Sequence, residues 1–148
     1  MAGSLADGAE IEVLKLLTGQ ATSGTGTLAA FTGVTLPNVY VALFTVSPSD
    51  STLGTEATGG NYARVDSKTK WATPASGSVS TNAIVAFATF NGQVSSGSAF
   101  VAFGLLNHIS TLTANTLIAW GALTDITKTG GNGDTVSFAS GALTITCD

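Results

Sequence analysis

Very few side chains in this sequence have the types and spacing that chemistry needs. The chain carries one histidine, His108, and one cysteine, Cys147. His108 follows Asn107 just after an apolar run, and no Ser/Asp arrangement stands beside it. A nucleophilic triad can be assembled from distant positions, but a lone histidine at a strand end reads first as a surface or hydrogen-bonded structural residue. The acids Asp50, Glu56, Asp66, Asp125, Asp134 and Asp148 are scattered. None pairs with another at two-residue spacing on one strand face, so a glycosidase-type carboxylate pair has no local signature. A single cysteine excludes an intramolecular disulfide and argues against a structural zinc site. Gly130-Gly131-Asn132-Gly133-Asp134 is glycine-rich, but no Lys-Ser/Thr follows to hold a phosphate and one carboxylate is poor for calcium. It reads as a turn. Gly24-Thr25-Gly26 has no strand before it and no basic residue after it. The sequence thus points to no catalytic residue, no cofactor and no metal site, and the expected role is non-enzymatic.

Arg64, Lys68 and Lys70 form the main basic group. On one strand Lys68 and Lys70 would share a face, pairing with Asp66 and Glu56, facing an acidic neighbour or simply lying in water. Five Lys and Arg against nine Asp and Glu leave a net charge of −4. Phosphate-dominated binding to nucleic acid therefore has no electrostatic basis. No uninterrupted apolar run approaches the roughly 18–20 residues of a membrane helix. The N-terminus lacks the basic and apolar regions of a secretory signal, so synthesis in the cytoplasm is the default. Charged residues make up only 9% of the chain, against roughly a quarter in an ordinary soluble domain. A Thr/Ser/Ala/Gly surface suits extensive contact with other protein copies, because long charged side chains are costly to bury. A quiet monomeric sandwich with a Ser/Thr-rich surface has the same composition, and composition leaves both open.

The elements that must position these side chains are short. Asp7 can cap a helix, with Glu10 completing an Asp-x-x-Glu arrangement. Ala9, Val13, Leu14, Leu16 and Leu17 would cover most of its circumference, with Glu12 and Lys15 on the wet side. Thr18-Gly19 is a suitable stop. Such a short helix is marginal alone in water and must dock, on its own domain or on a neighbour. Residues 20–27 read as loop and 28–36 are ambiguous. Residues 39–46 (Val-Tyr-Val-Ala-Leu-Phe-Thr-Val) are apolar on both faces, which predicts a central strand covered on each side. Residues 47–60 form a long loop of the kind that carries contacts. Further strands are expected at 62–66, 68–72, 78–81, 83–90, 100–106, 116–123, 135–138 and 142–146, with Asn91-Gly92 as a tight turn. Trp71 and Trp120 read as core or interface aromatics. The fold class is mainly β: an antiparallel β-sandwich or barrel of about eight strands with one short N-terminal α-helix. Residues 1–27 would form a helix and arm, and 28–148 the β-domain.

Several segments carry a resemblance. Tyr40-Val-Ala-Leu-Phe-Thr45 continues through Pro48, Gly54-Thr-Glu56 and Gly59-Gly-Asn-Tyr-Ala-Arg64. Late in the chain come Thr116-Leu-Ile-Ala-Trp-Gly-Ala-Leu123 and Gly133-Asp-Thr-Val, Phe138, Gly141-Ala-Leu143. Over residues 9–146 the chain resembles small tailed-bacteriophage virion proteins, of the kind labelled "phage tail fiber protein" or head decoration protein. The resemblance implies a structural role in the virion, without catalytic residues to carry over. It implies a homo-oligomer, with a trimer expected, that binds a major capsid protein or tail proteins and neither nucleic acid nor membrane. The first expectation is a capsid cement or decoration protein bridging head subunits; the alternative is a tail component such as a tube, baseplate or fibre-associated protein. A sugar-binding or hydrolytic sandwich draws little support. Leu5, Val13, Leu16, Leu17, Pro48, Leu53, Glu56 and Arg64 are the expected assembly contacts. Glu56 and Arg64 are further expected to pair and pin the long loop to the sheet.

Overall fold

A computed structural model describes residues 5–22, 38–124 and 128–147. The ambiguous stretch 28–36, residues 23–27 of the Thr/Ser/Gly loop, Asp125, Asp148 and the expected boundary at 27/28 lie outside the described residues. Among those described, one helix, α1 (Asp7–Leu17), precedes nine strands: β1 (Tyr40–Val46), β2 (Thr55–Glu56), β3 (Val65–Asp66), β4 (Ser78–Ser80), β5 (Val85–Ala86), β6 (Ala102–Leu106), β7 (Leu117–Ala122), β8 (Ser137–Phe138) and β9 (Thr144–Thr146). The protein is mainly β, as expected, and its sheets are open rather than closed into a barrel. Two compact units can be distinguished. One holds α1, Ser67–Val85 and the chain from Phe138; the other holds Tyr40–Asp66 and Ala86–Ser137.

In the first unit α1 packs on its own chain through Leu14, which is fully buried. Two helix expectations are corrected. The N-cap is Ala6, without a side-chain cap bond, and Asp7 sits inside the first turn. There its charge still complements the helix dipole. Glu12 and Lys15 do not mark a wet side: Glu12 is 5% exposed and pairs with Lys15 at 2.8 Å. Glu10 is also buried, its carboxylate lying where a side chain at position 77 would be, and Gly77 leaves that room. The Thr18-Gly19 stop is as read. Gly19 takes φ 74°, and Gly19 and Gln20 donate to Leu16 O and Lys15 O at 3.1 and 2.8 Å, closing a Schellman-type end. Antiparallel β4 and β9 complete this unit, over a core that includes Trp71, Val79 and Leu143.

Residues 68–72 do not form a strand, so Lys68 and Lys70 do not share a strand face. A main-chain turn at Ser67 takes up the first of these residues: the Ser67 carbonyl accepts the Lys70 N–H at 2.9 Å, and the buried Ser67 hydroxyl donates to Val39 O and accepts from the Trp71 indole. Pairing is confined to a single bridge, Trp71 to Thr81, with Ala72 N–H donating to Ser80 O at 2.9 Å and Asn82 N–H to Lys70 O at 2.8 Å. Lys70 instead reaches Ile84 O at 3.0 Å.

The second unit is built on a five-stranded antiparallel sheet in the order β2-β1-β6-β7, with β3 also paired to β1. β1 lies in the interior, and Val41 through Phe44 are fully buried, which is what apolar residues on both faces require. Gly104 on β6 explains how Phe44 fits: a β-carbon there would stand 2.7 Å from the Phe44 ring and 3.1 Å from Leu117. Asn91-Gly92 is not a hairpin turn. Asn91 donates its N–H to Asn61 Oδ1 at 2.9 Å, while Phe90 N–H goes to Asp134 O. The bend is thus held by a distant loop rather than by two flanking strands.

Candidate functional site

The most elaborately bonded polar cluster lies in the second unit, where two very short strands flank β1. β2 pairs with the end of β1 (Phe44↔Glu56, Val46↔Thr55) and β3 with its start (Tyr40↔Asp66, Val41↔Val65). Between these pairings the outward main-chain groups of Leu43 would be left without a strand. The Leu43 carbonyl accepts the Ala57 N–H at 2.9 Å, and its N–H donates to the Tyr62 hydroxyl at 2.9 Å. A phenol thus stands in for a missing rung of the ladder, satisfying a group that is expensive to bury unpaired.

The Tyr62 hydroxyl in turn donates to Glu56 Oε1 at 3.2 Å. Arg64 grips the same carboxylate in a forked pair, Nε to Oε1 at 2.7 Å and Nη2 to Oε2 at 2.5 Å. The third nitrogen, Nη1, donates to the carbonyls of His108 and, at 3.0 Å, Thr111. The guanidinium side chain is 2% exposed and the carboxylate side chain 14%. Planar bidentate pairing of this kind is what Arg supplies and Lys cannot. Burial, and then the negative charge of Glu56, push the Tyr62 hydroxyl far above the ordinary phenol range, so it remains a protonated donor.

His108 completes the cluster through its backbone. Its ring is exposed, and Nδ1 accepts the N–H groups of Ser110 and Thr111 at 3.2 and 2.9 Å. This is the structural histidine that the sequence suggests. Asp134 plays a similar part in the glycine-rich turn, where Oδ2 accepts the Gly131 N–H at 2.8 Å. The two acids serve different ends: Glu56 is joined to a cation, Asp134 closes a turn.

The pairing expected between Glu56 and Arg64 is present and ties the 47–60 loop to the sheet. The role of Tyr62 was not legible, because nothing in the sequence says that β2 and β3 stop short of each other. Among the expected assembly contacts, Leu5 is 47% exposed, and Val13, Leu16, Leu17 and Leu53 are half-buried. Pro48 and Arg64 are turned inward, so what they offer a neighbour is the shape of the loop rather than side-chain surface. Two shallow grooves flank this region. One, of about 510 Å³, runs past Ala57, Thr58, Arg64 and the exposed Ile109. The other, of about 260 Å³, lies between Ser49–Leu53 and the half-exposed Trp120 on β7.

The fold and this cluster define a mainly β module whose best-organised polar side chains are spent on holding loops in place. Residues 15–146 match the family described as Podophage GP4 fiber I protein gp80, and the chain belongs to that family, which is one of phage virion structural proteins. No curated protein sequence matches the chain.

Proposed function

We propose that this chain is a fibre component of a bacteriophage tail. The family match across residues 15–146 carries the reading. It favours the tail alternative over a cement on the head shell, because the matched family is a fibre. The action is mechanical, with no reaction catalysed. A rigid sheet, with its loops tied down by Glu56, Tyr62 and Arg64, presents a fixed and weakly charged surface to other chains. Preorganised loops lose little entropy on docking, and repeated copies multiply weak contacts through avidity.

Immunogold labelling or cryo-EM of intact particles tests the location. Density or label confined to the tail is the expected result. Label distributed over the head shell would restore the cement reading and overturn this one.

A further inference from the structure

We propose that Asn91 is a site of spontaneous covalent modification, losing its side-chain amide to attack by the main-chain nitrogen of Gly92. The fold selects it over the other Asn-Gly pair of the chain, Asn132-Gly133. Glycine after asparagine favours this reaction because no side chain obstructs the attacking nitrogen or restricts its backbone. The sequence makes the two pairs alike in this respect, and both asparagines are exposed. Neither side-chain amide has a hydrogen-bond partner among the described residues. The glycine nitrogens are what differ. Gly133 N–H donates to Phe90 O at 2.8 Å, in a loop closed twice more, by Asp134 N–H to Gly131 O at 3.1 Å and Gly131 N–H to Asp134 Oδ2 at 2.8 Å. Gly92 N–H has no partner among the described residues. The chain is held just before it, by Asn91 N–H to Asn61 Oδ1 at 2.9 Å, and next at Val94, whose N–H donates to Gly130 O at 2.9 Å.

The reaction needs only water and base. Hydroxide removes the Gly92 amide proton, the nitrogen bonds to Asn91 Cγ, and the Cγ–Nδ2 bond breaks with release of ammonia. Water then opens the five-membered imide at either carbonyl, leaving aspartate or isoaspartate at position 91. Nothing is oxidised or reduced. At Gly133 the same step must first break the bond to Phe90 O, whose residue is 1% exposed, and leave that carbonyl without its partner. The isoaspartyl product adds a negative charge and a main-chain methylene between Phe90 and Val94, both buried. That span is where two other loops meet it, through Asn91 N–H to Gly60 O and Val94 N–H to Gly130 O. The inference stands independently of the tail location.

Incubation of the folded full chain in mildly alkaline buffer, followed by peptide mapping with mass spectrometry and isoaspartate detection, tests the inference. Conversion at Asn91 should outrun conversion at Asn132 by at least about threefold, the factor that one net hydrogen bond represents. In denaturant the Gly133 bond is gone, and the two rates should converge. Gly92→Ala should slow conversion at Asn91 severalfold with thermal unfolding unchanged. A β-carbon there meets only the Gly60 Cα, at an ordinary 3.8 Å, and Gly92 is not among the positive-φ glycines. Conversion at Asn91 that is absent or no faster than at Asn132 in the folded chain overturns the proposal. So does the same preference in denaturant, which would assign the difference to neighbouring residue types, or indifference to Gly92→Ala.

Discussion

The two edges of the five-stranded sheet solve the same problem in opposite ways. At one edge two strands of two residues each are supplemented by a side chain, Tyr62, and locked by a nearly buried Glu56–Arg64 pair. At the other edge a six-residue strand without charge is left with its outer rungs unpaired among the described residues. The first edge finds partners for its buried main-chain groups within the chain, so its residues carry stability. At the second edge Trp120 and Ala122 are exposed and water can serve the outer groups, so its residues carry little of it. Substitutions at the two edges should therefore separate into two classes of effect.

The sharpest division should come from Arg64→Ala. Removing the guanidinium leaves Glu56 largely buried without its cation and frees the His108 and Thr111 carbonyls. A loss of about 3–5 kcal/mol in denaturant unfolding is expected, with Arg64→Lys recovering only part of it. An unchanged unfolding midpoint would mean that the first edge is not the one that stability depends on. Gly104→Ala lies between the two edges and presses on Phe44 toward one and Leu117 toward the other. It should cost about 1–3 kcal/mol by overpacking, read from denaturant unfolding.

Tyr62→Phe is a smaller and more pointed change. It keeps the ring stacked on Phe87, at 5.8 Å between centroids, but deletes the hydroxyl that serves Leu43. A loss of about 1–3 kcal/mol is expected for the unsatisfied N–H. The same hydroxyl sets an alkaline limit. Its proton is held more tightly in the folded chain than in the unfolded one, so its contribution is complete below the ordinary phenol value of about 10 and is lost as pH rises above it. Wild-type stability should thus fall steeply above about pH 10, and Tyr62→Phe should fall less steeply over that range. The smallest stability effect should be that of Trp120→Lys, within about 0.5 kcal/mol for the isolated chain. A large effect there would erase the distinction between the edges.

Much of the first edge was legible in the residues. The doubly apolar run from Val39 required a central strand, and the Gly54-Thr-Glu56 and Tyr62-Ala-Arg64 segments marked an acid and a base that could meet across a loop. The role of Tyr62 was hidden because it depends on where two other strands end. The inward turn of Glu10 and Glu12 was hidden for a related reason. A helical pattern places charge on the face away from leucines, but it cannot show that Lys15 will neutralise one carboxylate or that Gly77 will admit the other. The expected strand at 68–72 shrank to one bridge, Trp71 to Thr81, because a main-chain turn from Ser67 O to Lys70 N–H takes up the residues before it.

By itself the sequence determined the class of fold, the central strand and the scarcity of ionisable groups. These follow from alternation, turn residues and composition, which act over a few neighbouring residues. Only the tertiary structure decided which edge is supplemented by side chains and which, among the described residues, pairs with no further strand. That outcome depends on which strands lie beside β1 and β6, on where each stops, and on which distant side chain arrives to satisfy what remains. Hydrogen bonds to backbone groups are short-ranged and directional, so a partner's identity is fixed by placement in space rather than by its type in the sequence.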